Sequence, residues 1–133
     1  MEFNWGCWEG LGCLENNFEV PDPNYNIFYT DAFHYQGSPD GESVADVMER
    51  TADFFNELIA NPDYQDKTIL IATHGCALRA MLNPLYENRD SFWQEHVPYN
   101  CAVTIIDVQN GQAKSQPKIK YIMMNPCAST TIR

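Results

Sequence analysis

His74 stands between a short apolar run, Thr68-Ile69-Leu70-Ile71-Ala72-Thr73, and a helical pattern, Cys76-Ala77-Leu78-Arg79-Ala80-Met81-Leu82. A histidine at such a junction can hydrogen-bond an anionic oxygen, because a helix N-terminus offers unpaired amides and a partial positive charge. Gly75, with no Cβ, lets the backbone approach a ligand closely. In open α/β sheets ligands bind at the carboxyl ends of the strands, which is where an apolar strand over 68–73 would place this histidine. Anion binding, phosphate above all, is the chemistry the junction suits. A histidine that only terminates the turn is the competing reading.

The remaining reactive side chains are less well placed. His34 and His96 neither follow a strand-like run nor sit beside glycine, so both read as surface or packing residues. Cys76 lies in the first helical turn, where a thiolate can be stabilised, but a small buried side chain is the commoner use of that position. Arg50 and Arg79 could face an anion, yet helix-face ion pairs with Glu42 or Asp46 are the usual role for such arginines. Glu9 and Glu42 read as loop-orienting carboxylates that accept from backbone amides. Trp5, Trp8, Phe92 and Trp93 read as packing residues. The five cysteines form no C-x-x-C pair and the three histidines no H-x-x-x-H pattern, so neither a metal site nor a cofactor is expected.

The elements that must hold these residues follow from patterning. Ser43 with Asp46 three positions on is a capping-box start, and Val44, Val47, Met48, Phe54, Phe55, Leu58 and Ile59 then recur at helical spacing until Asn61-Pro62. That predicts one helix over Ser43–Asn61. The run 68–73 is short and almost unbroken, as in a strand covered on both faces of a parallel sheet. Two further strands are expected over Cys101–Val108 and Lys118–Met124, with Asn110-Gly111 as a turn between them. A short helix is expected around Tyr25–His34, and residues 1–20 read as a packed loop.

The whole chain narrows the class. Its 133 residues, 44% of them apolar and 20% charged, suit one globular domain spanning 1–133. A net charge of −10 argues against a nucleic-acid partner, which needs a basic face. No apolar stretch is long enough to span a membrane and no secretory leader is visible, so no membrane partner and a cytoplasmic location are expected.

Four segments carry a family resemblance in a fixed order. Glu2-Phe3-Asn4-Trp5-Gly6-Cys7-Trp8-Glu9-Gly10 is similar to the "E-x-x-x-G-x-x-E-G" segment of the histidine phosphatase (phosphoglycerate mutase-like) superfamily. Gly41-Glu42-Ser43 resembles its "G-E-S" helix start. Thr73-His74-Gly75 resembles its second histidine motif, and Pro98-Tyr99-Asn100-Cys101 its approach to a late strand. The resemblance implies an α/β fold: three layers, a mainly parallel sheet with helices on both faces, incomplete in these residues.

It also implies phosphomonoester hydrolysis through a phosphohistidine, with mutase-type phosphoryl transfer the less favoured form because the loops are short. By resemblance Glu2 takes the role of the acid that protonates the leaving oxygen. His74 and the Gly75 backbone would contact the phosphoryl group of a phosphorylated small molecule or inorganic phosphate. The family's nucleophile, the histidine of an R-H-G motif ending the first strand, does not occur in this sequence, and no arginine precedes Glu2. The expectation is therefore a chain that is inactive alone. Strand 68–73 would carry an open edge, to be covered by a second copy or by a complementing N-terminal segment. The alternative is a non-catalytic anion-binding or assembly module.

Overall fold

A computed structural model describes residues 2–14, 17–94, 102–113 and 118–120. The longest element, α2 (Val44–Ala60), forms for the reasons the sequence suggests. The Ser43 hydroxyl accepts from the Asp46 amide at 3.1 Å while the Asp46 carboxylate accepts from the Ser43 amide at 2.8 Å, a reciprocal capping box. Val44, Val47, Thr51 and Phe55 face inward along it. Phe54, expected on the apolar face, is exposed, because it lies one position, about 100° of helix turn, away from the buried Phe55.

The helix expected around Tyr25–His34 is broken into three pieces: a 3-10 turn over Pro23–Asn26, one α-turn named α1 (Ile27–Thr30), and a second 3-10 turn over Ala32–His34. Asp22 starts the first piece by accepting from the Asn24 amide at 2.7 Å. The third helix, α3 (Gly75–Leu82), packs against α2 and runs into a 3-10 turn at Asn83–Leu85, where Pro84 cannot extend an α-helix.

Strand structure is sparse among the described residues. Three two-stranded antiparallel pairs occur: β1 (Cys13–Leu14) with β2 (Asn17–Phe18), β3 (Val103–Ile105) with β6 (Lys118–Lys120), and β4 (Val108–Gln109) with β5 (Gln112–Ala113). The last pair is a two-residue hairpin, with Asn110 at φ 53° and Gly111 at φ 70°, the left-handed values its tight turn requires. The run expected as one strand over Cys101–Val108 is thus split after Ile105. A separate hairpin fills part of the connection to Lys118–Lys120. Residues 121–124 of the last expected strand lie outside the described residues.

The mainly parallel sheet is not present among these pairs, all of which are antiparallel, and the strand expected over Thr68–Thr73 does not form. Residues 67–74 belong to no helix or strand, and Leu70 is 87% and Ile69 41% exposed. The reason is physical: a strand is defined by its neighbour, and no described residue supplies backbone partners to residues 68–73.

The core therefore gathers elsewhere. Phe3, Trp8, Tyr25, Phe28, Tyr35 and Phe92 close around the inner faces of α2 and α3. Their rings meet at angles, as for Phe3 and Phe28 at 5.2 Å and Phe28 and Tyr35 at 5.3 Å, the edge-on geometry that aromatic quadrupoles favour. Burial of Tyr35, with Asp22 and Tyr29 nearby, pushes its phenol up to about 12.

Candidate active site at the start of helix α3

The N-terminal loop and the Gly41-Glu42-Ser43 segment interlock. The Glu42 amide donates to the Asn4 carbonyl at 2.9 Å, and the Glu42 carboxylate accepts from the Asn4 amide at 2.9 Å. Gly6, at φ 54°, lies so close to the Pro39–Gly41 backbone that a Cβ there would come within 2.5 Å of it. Glu9 closes the loop by accepting from the Trp5 amide at 3.0 Å. Both carboxylates thus have the loop-orienting role expected of them.

Arg50 locks this unit to α2. Its Nε donates to Glu42 Oε1 at 2.6 Å and its Nη2 to Glu42 Oε2 at 3.1 Å, and Nη2 also donates to the Glu2 carbonyl. Burial alone would push the Glu42 carboxyl up, but the Arg50 guanidinium and the Asn4 amide outweigh it and hold the carboxyl below its usual range. The ion pair expected for Arg50 is therefore present. Its further bond to the Glu2 backbone has no signal in the sequence, because it joins residues 48 apart.

Glu2 and the start of α3 meet directly. Glu2 Oε1 accepts from the Cys76 amide at 2.7 Å, across 74 residues of sequence. A carboxylate at a helix N-terminus is favourable for the same electrostatic reason that a phosphate is. The amide end of α3, expected to be open to a ligand, is thus engaged at Cys76 by the protein's own acid. Glu2 Oε2 is buried and has no hydrogen-bond partner among the described residues.

His74 is the N-cap residue of α3, with extended backbone at φ −105° and ψ 168°. Its carbonyl accepts from the Leu78 amide at 2.9 Å, while its side chain makes no capping bond and is exposed. The junction therefore places His74, Gly75 and Glu2 around one helix end with the imidazole exposed, although the strand expected to deliver His74 there does not form. Cys76 is inert by contrast: burial, with a smaller contribution from the Glu2 carboxylate, pushes its thiol up to about 12.

Arg79 is 1% exposed and donates to the Tyr86 hydroxyl at 2.9 Å with its guanidinium over the Tyr86 ring, so it is a core residue rather than one on an exposed helix face. His34 lies on the surface, its Nδ1 2.8 Å from Asp31 Oδ1, and that hydrogen bond raises its basicity. His96 and the Pro98–Cys101 segment lie outside the described residues.

A cleft of about 190 Å³ opens beside Glu2, Gly75 and Cys76. Its other walls are Phe3, Trp5, Phe28 and Trp93, with Phe28 touching both tryptophans: Trp5 at 4.9 Å and Trp93 at 5.0 Å. The Trp93 indole is held by a 2.9 Å bond from Nε1 to the Phe28 carbonyl. By residue type alone these tryptophans read as packing residues. Only the chain path brings Trp93 against Trp5's neighbours. A larger cavity of about 260 Å³, between α2 and the Gly111 turn, is walled by Phe55, Ile59, Met81 and Leu85 and has no titratable side chain among its described lining residues.

Comparison with known proteins gives the family. Part of the chain is 27% identical over 118 residues to a 2,3-bisphosphoglycerate-dependent phosphoglycerate mutase of Hydrogenobaculum sp. (strain Y04AAS1), covering 81% of this chain and 48% of that protein. The chain thus spans about half the length of this curated relative. No solved structure matches it. The family model of the histidine phosphatase superfamily (branch 1) matches residues 1–117, and the chain belongs to that superfamily.

Proposed function

We propose that these residues form the acid-bearing part of a phosphomonoester-processing site. In it His74 and the Gly75 backbone contact the phosphoryl group, and Glu2 protonates the leaving oxygen through Oε2. The observation that carries this reading is the Glu2 bond to the Cys76 amide, which holds a carboxyl against the helix end that His74 caps. Phosphoryl transfer needs its group positioned and the charge on its oxygens neutralised, and a helix end with an adjacent imidazole supplies part of both. Hydrolysis through a phosphohistidine is the favoured reaction, with mutase-type transfer second.

The nucleophile and the clamping arginines have no counterpart among these 133 residues, so the chain alone is proposed to be inactive. The full three-layer sheet is proposed to assemble when a strand is laid beside residues 68–73, by an N-terminal segment or by a second copy. The exposure of Ile69 and Leu70 supports that reading. A non-catalytic, anion-binding role is the second reading, favoured by the Cys76 amide being already taken by Glu2.

The test is hydrolysis of an aryl phosphate by the chain and by a His74→Ala variant. Equal, background rates are expected from both. A rate above background that depends on His74 would show a nucleophile within these residues and overturn the proposed inactivity.

A further inference from the structure

We infer that the cleft beside Glu2 takes the ring of an aryl phosphomonoester, with Trp5 and Trp93 as specificity-determining walls. The inference rests on the phosphoryl reading of His74 and Glu2 given above. Size is the first argument. An apolar cavity of about 150 Å³ accommodates benzene, so the 190 Å³ cleft holds one ring and little more. Lining chemistry is the second. Phe3, Trp5, Phe28 and Trp93 surround it, and the Trp93 Nε1–H is already spent on the Phe28 carbonyl.

A leaving group bearing several hydroxyls would give up its water there and find few partners, leaving polar groups unpaired. A flat ring loses nothing and gains stacking and edge contacts.

Charge is the third argument. The side chain with a titratable carboxyl in the cleft wall is Glu2, and the whole chain carries −10. A leaving group with its own carboxylate or second phosphate is repelled on both scales. A phenolic leaving group carries no charge beyond the ester being cleaved. The rigid walls also favour a flat occupant. Trp93 is fixed by its hydrogen bond and by Phe92 at 4.8 Å, and Trp5 by Phe3 at 4.7 Å, so the slot does not need ordering when a ring enters.

The three tryptophans make the test internal to the molecule. Trp5 and Trp93 line the cleft, whereas Trp8 is buried against Tyr25 away from it. Phenyl phosphate, glycerol 1-phosphate, inorganic phosphate and phenol are titrated into the full chain while the indole N–H resonances are followed. Phenyl phosphate is expected to shift Trp5 and Trp93 and leave Trp8 in place. It should bind about tenfold tighter than glycerol 1-phosphate, the scale of one ring-stacking contact, and inorganic phosphate should displace it. Trp93→Phe should retain most of that preference, and Trp5→Leu, which keeps apolar bulk without the indole face, should reduce it. Tyr64→Ala, an exposed residue outside the cleft, should leave it unchanged. Equal affinities for phenyl and glycerol phosphates with unmoved indoles would overturn the aromatic cleft and leave the phosphoryl reading standing. Phenol binding as tightly as phenyl phosphate, without competition from phosphate, would overturn the phosphoryl reading on which the inference depends. Binding of none of the four would overturn both.

Discussion

Arg50 shows how much one side chain can organise here. It is hydrogen-bonded to both oxygens of Glu42 and to the backbone of Glu2, so it ties the segment bearing the acid to the longest helix. Arg50→Ala leaves the partly buried Glu42 carboxylate without its cation, and a loss of about 1–3 kcal/mol in urea unfolding is expected. The pH dependence has a definite sign. The folded-state pKa of Glu42 is lowered, so its contribution is present above the unfolded carboxylate pKa and is lost as pH falls through the lowered value. Acid unfolding of the parent chain should carry that component, and Arg50→Ala should lack it. An unchanged acid limb in the variant would show that the pair does not couple to folding. Cysteine chemistry gives a second residue-scale expectation. Peptide mapping after alkylation at pH 8 should find Cys7 and Cys13, both exposed, labelled, and Cys76 unlabelled in the native state. Native-state labelling of Cys76 would mean that the helix start opens readily.

Among the elements, α2 is specified locally and completely. Its cap, its inward face and its stop are all set by residues within it or next to it. Ser43→Ala removes the hydroxyl that accepts from the first turn, and a loss of about 1 kcal/mol is expected in chemical denaturation. No change at all would indicate that packing of Val44 and Val47 alone holds the first turn. Residues 68–73 are the opposite case. Their composition is that of a buried strand, yet they pair with nothing among the described residues and Leu70 stands almost fully in solvent. A β-strand cannot be stabilised by its own residues, whereas a helix satisfies its amides internally. The same sequence logic that succeeds for α2 therefore stops short here.

At the scale of the molecule, an aromatic core coexists with an apolar segment that it does not cover. Exposed, unpaired backbone with Ile and Leu side chains favours association with a further strand. Sedimentation equilibrium across the micromolar range, with amide exchange over 68–73, is expected to show self-association accompanied by protection of those amides. In the dilute limit the same amides should exchange rapidly. A monomer at all concentrations with unprotected amides would rule out the second copy as the covering strand. An N-terminal segment would then be the candidate to add in trans.

Several features were determined by the sequence alone because they depend on neighbours within a few residues: the Ser43–Asp46 box, the α2 face, the Pro84 stop, and the position of His74 as the residue that opens α3. The family was legible too, since its motifs are short and ordered, and the match over residues 1–117 bears this out. What only the tertiary structure decided are the long-range pairings. Glu2 occupies the Cys76 amide, Arg50 reaches the Glu2 carbonyl, Arg79 turns inward to Tyr86, and Trp93 joins Phe28 to wall a cleft. Each couples residues whose separation along the chain leaves no periodic signal. Whether 68–73 becomes a strand is likewise decided by its neighbours, since its hydrogen bonds must come from outside the segment.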